Sequence, residues 1–320
     1  MRMRLLAIAL GLLTATSCTS IAQTWPERPV RMILTFGAGS GTDIVARLFQ
    51  EQLQTKWGKP IVIENRPGGD GMVAINAFLG ANDPHVLLFA STVSFLAHPF
   101  TLDKVPYDLK TDFAPIARVT DTITAYSVPS STGVTSLKDL LARARAEPGK
   151  LNYAAAPGIT EFTLTGFLKA EGIDMVKVPY RDVVQAGTDL GEGRLQLLFT
   201  SLAIVKPHLD SGKARLVGLG ISQPAAMLPG VPTVVQAGYP GLVTETSSSL
   251  FGPKDMALAL RERIAADMIA VGGDPAIGQK LAATGQIMSL GGPAELARTV
   301  ELQSARAAAV ARVLGVGRKN

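Results

Sequence analysis

Apolar runs separated by glycine-rich breaks predict an alternation of strands and helices in the first part of the chain. The run Val30–Phe36 is apolar enough for a buried strand, and the glycine-rich loop 37–41 follows it. Thr42 is a suitable cap for a helix that ends at Gly58. In chain order, the predicted elements are strand 30–36, helix 42–57, strand 61–63, helix 72–80 and strand 86–90. This order indicates a parallel sheet with right-handed crossovers.

The same alternation restarts in the middle of the chain. Ser136-Leu137-Lys138-Asp139 resembles a capping box, and it begins a helix that Pro148-Gly149 ends. The elements predicted after it are strand 151–155, helix 160–171 with Thr160 as its cap, strand 175–178, helix 184–190, strand 195–200, helix 204–210 and strand 215–221. Two long helices, 256–271 and 294–314, complete the pattern.

Two α/β units and a helical tail predict a protein of two lobes with a cleft between them. We place the tail with the N-terminal unit, because those helices need an apolar surface to cover. Lobe 1 is then residues 23–124 and 241–320, and lobe 2 is residues 125–240. The chain is expected to cross between the lobes twice, near Thr124 and near Gly241.

The first residues have the features of a secretory signal. Arg2 and Arg4 precede the apolar run Leu5–Leu13, which is too short to span a bilayer. Ser20-Ile21-Ala22 places small side chains at the two positions that a signal peptidase reads. We therefore predict a signal peptide over residues 1–22 and export of the remaining chain.

Lipidation at Cys18 is the alternative, although Ala15 stands where a lipoprotein signal normally has leucine. Cys18 is the only cysteine, so the chain that remains after cleavage has no disulfide and depends on its apolar core. Its 29 basic and 26 acidic residues give a charge of +3, which argues against a nucleic-acid partner. Arg47, Arg66 and Arg181 are expected to be solvated or paired locally.

Two loops connect a strand end to a helix start and are candidate binding loops. The first runs from Phe36 to Thr42, and the second runs from Ala155 to Thr160. Ligands of open parallel sheets bind beyond the carboxyl ends of the strands, and a helix start favours an anion through its free N–H groups. Hydroxyls of Ser40, Thr42 and Thr160 can add hydrogen bonds. The pattern indicates a carboxylate site without arginine, although ordinary strand–helix turns have the same form.

Dinucleotide binding is an alternative for the first loop. Gly37 and Gly39 follow a strand, and Glu64 ends the next strand about twenty residues later, as a ribose-binding acid would. The third glycine of that motif is replaced by Thr42, and export removes the chain from cytoplasmic nicotinamide pools. The sequence therefore disfavours this interpretation.

The sequence contains no motif that indicates a catalytic site or a metal site. Ala38 stands two residues before Ser40, where a nucleophile elbow needs glycine. The histidines His85, His98 and His208 have no metal-ligand spacing, and we expect each of them at the surface or in a turn. Asp182 and Glu161 lie near strand ends, but their spacing does not define an acid–base pair. We predict no enzyme, no metal and no cofactor.

Several motifs in order along the chain resemble the Bug family, the substrate-binding receptors of tripartite tricarboxylate transporters. The matching segments are Trp25-Pro26-Glu27-Arg28-Pro29-Val30-Arg31, Phe36-Gly37-Ala38-Gly39-Ser40-Gly41-Thr42-Asp43, Glu64-Asn65-Arg66-Pro67-Gly68-Gly69, Pro106-Tyr107-Asp108, Pro148-Gly149-Lys150-Leu151, Val178-Pro179-Tyr180, Pro229-Gly230-Val231-Pro232-Thr233 and Gly238-Tyr239-Pro240-Gly241. The resemblance implies a type II periplasmic-binding-protein fold whose two α/β lobes close on a ligand. It also implies periplasmic location and a small carboxylate ligand: a dicarboxylate, tricarboxylate, acidic amino acid or aromatic acid.

The resemblance also implies which residues bind the ligand. Carried over by position, they are Phe36, Gly37, Ala38, Gly39, Ser40, Gly41, Thr42 and Asp43 in the first loop, Ala155, Ala156, Gly158, Ile159 and Thr160 in the second, and Ser91, Thr200 and Ser201 at strand ends. The partners implied are membrane transporter components. A sensor domain fed by the ligand-bound receptor is the alternative, an exported enzyme on this scaffold is a third reading, and we expect a monomer.

The chain departs from the family pattern in three places. Gly37-Ala38-Gly39-Ser40 replaces the common Pro-Ala-Gly-Gly, and Asp70 adds a charge to the loop Gly68–Gly71. The second loop usually has serine and glycine followed by histidine, whereas Ile159 and Phe162 stand here. Lost hydroxyls and the added Ile159 predict a more apolar distal pocket, and favour a monocarboxylate or an aromatic acid over citrate.

Overall fold

The computed structural model of the protein describes residues 25–313 and 315–317. The predicted signal peptide, its cleavage site and Cys18 lie outside the described residues. Within that range, no helix combines the length and the hydropathy needed to cross a membrane.

Eleven strands within the described range form two sheets. They are β1 (Val30–Leu34), β2 (Ile61–Asn65), β3 (Val86–Ser91), β4 (Phe113–Thr122), β5 (Thr124–Pro129), β6 (Asn152–Ala155), β7 (Val176–Lys177), β8 (Leu197–Ser201), β9 (Ala214–Leu219), β10 (Thr246–Pro253) and β11 (Gln286–Gly291). The six-stranded sheet has the order β11-β4-β10-β3-β1-β2, and the five-stranded sheet has the order β7-β6-β8-β5-β9.

Both sheets are mixed, which corrects the expectation of parallel sheets. The predicted strands β1, β2 and β3 are parallel, as are β6, β7 and β8. β10 runs antiparallel to β3 and β4, and β5 runs antiparallel to β8 and β9. The sequence pattern missed β4, β5, β10 and β11, and three of these four lie in the middle of a sheet.

Helices cover the faces of the sheets. They are α1 (Gly41–Trp57), α2 (Met72–Ala81), α3 (Val93–Leu96), α4 (His98–Thr101), α5 (Leu137–Ala146), α6 (Ile159–Ala170), α7 (Val183–Gly191), α8 (Leu202–Asp210), α9 (Leu258–Gly272), α10 (Pro275–Ala282) and α11 (Pro293–Val313). α1 ends at Gly58, which adopts φ 63° and ψ 21°, and α5 begins after Ser136, whose Oγ accepts from Asp139 N. These two boundaries match the sequence prediction.

Separate apolar clusters fill the lobes, and one cluster joins them. Phe49 and Leu250 belong to the core on one face of the six-stranded sheet, and Tyr126 stacks on Phe199 in the core of the second lobe, with ring centroids 3.8 Å apart. The joining cluster includes Phe36 from the first lobe and Ile159 from the second. The lobes are therefore packed against each other.

The chain passes from one sheet to the other at Ile123, between β4 and β5, and returns between β9 and β10. Ile123 N donates to Gly285 O at 2.8 Å, and Ile123 O accepts from Leu202 N at 2.9 Å, so this residue is bonded to both lobes. The exact lobe boundaries, near Thr124 and Gly241, stay a prediction.

Candidate functional site

A small cavity lies between the lobes, at the carboxyl ends of β1, β3, β6 and β8, where open α/β sheets bind ligands. Nine of its lining residues carry hydroxyls: Ser40, Thr42, Ser91, Thr122, Thr124, Thr160, Thr200, Ser201 and Thr246. Gly41 and five apolar residues complete the lining: Phe36, Val93, Ala156, Val183 and Ile204. No ionisable side chain is among these lining residues.

The loop from Phe36 to Asp43, called loop 1 from here on, is fixed by its own side chains. Ser40 is the N-cap of α1, since its Oγ accepts from Asp43 N at 3.2 Å. The predicted cap, Thr42, instead lies inside the first turn, and its Oγ1 is 3.4 Å from Ser248 Oγ. The cap is displaced because Ser40 already has extended backbone (φ −69°, ψ 160°), as an N-cap requires.

Asp43 is buried and holds loop 1 together. Its Oδ2 accepts from Gly39 N and from Arg47 Nε, both at 2.9 Å, and its Oδ1 accepts from Asn65 Nδ2 at 2.9 Å. Asn65 Nδ2 also donates to Phe36 O at 2.9 Å. Burial by itself raises the pKa of the Asp43 carboxyl, but the hydrogen bonds from Arg47, Gly39 and Asn65 outweigh it and lower this pKa. The carboxylate is thus occupied within the loop.

The loop from Ala155 to Thr160, called loop 2, has no side-chain cap. Its N-cap is Gly158 with φ 87° and ψ −140°, a conformation that glycine adopts readily, so the prediction that Thr160 caps α6 is wrong. Backbone bonds hold the loop, with Ala156 N donating to Phe199 O at 2.8 Å. A Cβ on Gly158 would overlap Val93 O of the first lobe. This glycine therefore permits close approach of the two lobes.

Five helices begin at the cavity, three more than the sequence predicted. Lining residues lie in the first turns of α1, α3, α6, α7 and α8. Asp182 caps α7 by accepting from Val184 N, whereas α6 and α8 have no side-chain cap bond. Since a helix start carries a partial positive charge and free N–H groups, two uncapped starts favour an anion here.

Two buried polar atoms at the cavity have no hydrogen-bond partner. Thr200 Oγ1 lines the cavity and is unpaired, although Thr200 is completely buried. Gln286 Nε2 is also unpaired, in a residue with no exposed surface. Buried polar atoms in folded proteins normally find partners, so Thr200 Oγ1, which lines the cavity, points to a polar ligand or water there.

The structure brings part of the predicted site together. Nine predicted residues line the cavity: Phe36, Ser40, Gly41, Thr42, Ser91, Ala156, Thr160, Thr200 and Ser201. Seven do not: Gly37, Ala38, Gly39, Asp43, Ala155, Gly158 and Ile159. Ile159 lies in the apolar cluster that joins the lobes, and the family-atypical Phe162 stacks on Phe100 with centroids 5.9 Å apart. Neither residue supplies the apolar pocket wall that the sequence suggested.

Six further residues line the cavity and were not predicted from the sequence: Val93, Thr122, Thr124, Val183, Ile204 and Thr246. Thr122 and Thr124 lie on either side of the Ile123 crossing, and Thr246 begins β10. The alternation of threonine at 120, 122 and 124 was the available signal, because alternate strand residues face the same side.

Close contacts across the cleft show that the lobes are closed. A Cβ on Gly37 would overlap the carboxylate of Asp182, and a Cβ on Gly41 would lie 3.6 Å from Ser201 Oγ. The cavity holds about 30 Å³, which is room for about two water molecules. A larger molecule therefore needs the lobes to move apart before it binds.

His98 is buried at the start of α4, which corrects the expectation of a surface or turn position, whereas His85 is buried but lies in a turn, as expected. His85 is 8% exposed and His98 is 0% exposed, while His208 is half-buried on α8. His98 Nε2 lies 3.0 Å from Asp70 O and its Nδ1 lies 2.5 Å from the Tyr107 hydroxyl. Burial lowers the pKa of His98, so the neutral ring with Nε2 protonated satisfies both contacts. It anchors the loop at Asp70.

Other ionisable groups have structural partners. Glu64 pairs with Arg31 and Arg66, so the acid of the dinucleotide alternative is already engaged. Arg47 and Arg66 are locally paired, as expected. Within the described residues, no group of three or more histidine, cysteine or acidic side chains is arranged to hold a metal ion.

Known proteins resemble this chain over most of its length. Protein BugT of Bordetella pertussis (strain Tohama I) is 31% identical over 258 residues, which cover 78% of this chain and 79% of BugT. The structure of R. palustris Rpa4515 with adipate is 28% identical with a TM-score of 0.86, covering 92% of this chain and 99% of that one. MatC (Rpa3494) from Rhodopseudomonas palustris with bound malate shares the fold, at 23% identity and a TM-score of 0.83 over 89% of this chain and 99% of that one.

The fold is therefore that of the periplasmic binding proteins, as the sequence motifs implied. The model of the tripartite tricarboxylate transporter family receptor (TctC) matches residues 45–316, most of the chain. These motifs, the two mixed sheets and the matches lead to one conclusion: the chain belongs to the TctC family of tripartite tricarboxylate transporter receptors.

Proposed function

We propose that this protein captures a small carboxylate in the cavity between its lobes, in the periplasm, and delivers it to a membrane transporter. The observation that carries the proposal is the meeting of two uncapped helix starts, those of α6 and α8, with the unpaired Thr200 Oγ1 in a cavity whose lining has no ionisable side chain. Such a site offers hydrogen-bond donors and partial positive charge to an anion without a fixed cation.

The site favours binding over catalysis. The lining hydroxyls have neither an imidazole nor a carboxylate among them to act as a general base. Rpa4515 is a relative of this protein, and its structure contains adipate. This supports a carboxylate as the ligand class of the present protein as well. Transfer to a transporter is inferred from the family, whose members are receptors of such systems. We propose that the protein acts as a monomer.

Within the carboxylates, we propose a monocarboxylate or an aromatic acid over citrate. The apolar wall formed by Phe36, Val93 and Val183 supports this choice, in place of the wall first expected at Ile159.

A thermal-shift screen tests the proposal. The protein is unfolded, stripped of ligand and refolded, and its melting temperature is measured with monocarboxylates, dicarboxylates, aromatic acids and citrate, each beside its amide or ester. A bound acid at a hundredfold excess over its dissociation constant should stabilise the protein by roughly 2.7 kcal/mol, whereas its amide should not. No shift with any acid, for protein shown to be folded, would contradict the carboxylate site. Citrate binding without any response to aromatic acids would contradict only the narrower choice.

A further inference from the structure

Gln286 lies against the cavity wall with its side-chain amide completely buried. It stands opposite Thr122 in the pairing of β11 with β4. Its Oε1 accepts from the hydroxyls of Thr120 at 3.1 Å and Thr122 at 3.0 Å. Its Nε2 has no partner and occupies the space that a Cβ on Gly41 would fill. Because Thr122 and Gly41 both line the cavity, this amide supports the wall at two points.

The amide oxygen decides how the Thr122 hydroxyl faces the cavity. An amide oxygen only accepts hydrogen bonds, so Thr122 must give its single proton to Gln286. The neighbouring lining residue Thr124 likewise gives its proton to Thr244 O, at 3.2 Å. Both hydroxyl oxygens therefore have only lone pairs left for a ligand. This part of the cavity is an acceptor surface.

A carboxylate does not match an acceptor surface, because an ionised carboxylate also only accepts. Donors lie elsewhere in the cavity. Ser40 Oγ accepts from Asp43 N and keeps its proton free, Thr200 Oγ1 has no partner, and α6 and α8 begin without side-chain caps. The cavity thus has a donor side for a carboxylate and an acceptor side that needs an O–H or N–H group.

We infer that Gln286 is a positioning residue for ligand choice: it fixes Thr122 as an acceptor and thereby selects carboxylates that also carry an O–H or N–H donor, as hydroxy acids and amino acids do. This inference rests on the proposed carboxylate-binding function and narrows the ligand class of that same cavity. Gln286 acts through Thr122, whose hydroxyl donates to its Oε1.

Calorimetric titration with matched acids tests the inference on the ligand-stripped protein. The pairs malate and succinate, lactate and propionate, and mandelate and phenylacetate each differ by one hydroxyl. The hydroxylated member of a binding pair should bind about tenfold more tightly, as expected for one hydrogen bond and for an acceptor otherwise left unpaired. Aspartate compared with succinate tests an N–H donor in the same way as malate compared with succinate tests an O–H donor.

Three substitutions separate positioning from a merely structural role. Gln286→Leu lets the Thr122 hydroxyl donate as well as accept, so the tenfold preference should fall, although Thr124 remains an acceptor. Gln286→Glu keeps an acceptor for both hydroxyls, so it should restore the preference although its charge weakens binding of every acid. Thr120→Val is the matched control, because Thr120 shares Oε1 with Thr122 but does not line the cavity, and it should leave the preference unchanged.

Thr122→Val provides a second route to the same loss if the Gln286→Leu variant does not fold, and thermal unfolding without ligand checks each variant. A preference that stays tenfold in both Gln286→Leu and Thr122→Val, or equal binding of the paired acids by the wild type, would overturn the inference and leave the carboxylate receptor in place. Failure of every acid to bind the wild type would overturn the proposed function, and the inference with it.

Discussion

Loop 1 and loop 2 each connect a strand end to a helix start at the cavity, yet different contacts fix them. Loop 1 is held by side chains of its own lobe: Ser40 caps α1, and Asp43 accepts from Gly39 N, Arg47 and Asn65. Loop 2 has no capping side chain, and its Gly158 meets Val93 O of the other lobe. Loop 1 is therefore organised before the lobes close, whereas the surroundings of loop 2 are completed by closure.

Because of this difference, substitutions in the two loops should affect stability and ligand affinity differently. Damage to loop 1 should lower the stability of the ligand-free protein as well as its affinity, since the affected bonds all lie within one lobe. Damage to the contact at Gly158 should lower affinity more than backbone strain alone explains, because that contact is made between the lobes.

Gly158→Ala should have the largest effect on binding. The new Cβ overlaps a backbone oxygen, which cannot move aside as a flexible side chain can, and the backbone has positive φ. We expect affinity for the best acid of the screen to fall about a hundredfold, or about 2.7 kcal/mol. Gly172→Ala is the matched control, because Gly172 also has positive φ (62°) in the same lobe but nothing lies within 4 Å of its added Cβ. Equal losses in the two variants, measured by calorimetry, would contradict the role of closure.

Asp43→Asn should weaken both folding and binding. The amide keeps the size of the carboxylate but loses the ion pair with Arg47 and can accept fewer of its hydrogen bonds. Because these bonds involve a buried charged group, we expect the free energy of unfolding, measured in urea, to fall by about 2 kcal/mol. We expect affinity for the acid to fall about tenfold. Asp210→Asn, which removes an exposed partner of Lys206, should change neither measurement noticeably. Loss of affinity without loss of stability would mean that Asp43 contacts the ligand directly.

The pH dependence of stability provides a separate test of loop 1. The pKa of Asp43 is lowered from 3.8 in the folded protein, because its hydrogen bonds outweigh the opposing effect of burial. A lowered folded pKa contributes stability that is complete above the unfolded value and is lost as pH falls through the folded value. The free-energy difference between wild type and Asp43→Asn should therefore be constant above about pH 5 and shrink below about pH 4. A difference that grows on acidification would contradict this assignment.

The smallest effect on stability is expected when the hydroxyls of Ser40 and Thr160 are removed one at a time. Ser40→Ala removes an N-cap and should destabilise the ligand-free protein by about 1 kcal/mol. Thr160→Val should cost less than about 0.5 kcal/mol of stability, since Thr160 is not a cap, although it lines the cavity. Urea unfolding of both variants compares them directly. Equal destabilisation would mean that loop 2 is organised as firmly as loop 1.

Local signals explain which parts of the fold were predictable. The strands β1 and β3 are apolar runs, Gly58 ends α1, and the Ser136 capping box begins α5, all within a few residues of sequence. β10 was missed because it begins Thr246-Ser247-Ser248-Ser249, a hydroxyl run that reads as a loop, yet these residues are buried between β3 and β4. Tertiary pairing, not hydrophobic pattern, forms this strand.

The same distinction applies to the candidate site. The positions of loop 1 and loop 2 follow from strand–helix turns, and six of the nine predicted lining residues lie in these loops. The other three, Ser91, Thr200 and Ser201, were predicted at strand ends. The roles of Asp43 and Gln286 depend on partners far along the chain, Asn65 in one case and Thr122 in the other. His98 was placed wrongly for the same reason, since Tyr107 and the carbonyl of Asp70 satisfy its ring in the interior.

A crystal structure with the acid that gives the largest thermal shift tests most directly whether a carboxylate binds between the lobes. The carboxylate should lie within hydrogen-bond distance of Thr200 Oγ1 and of backbone N–H groups at the starts of α6 and α8, with loops 1 and 2 on either side. An acid bound outside this cavity, or a carboxylate neutralised by an arginine or lysine side chain, would contradict the account.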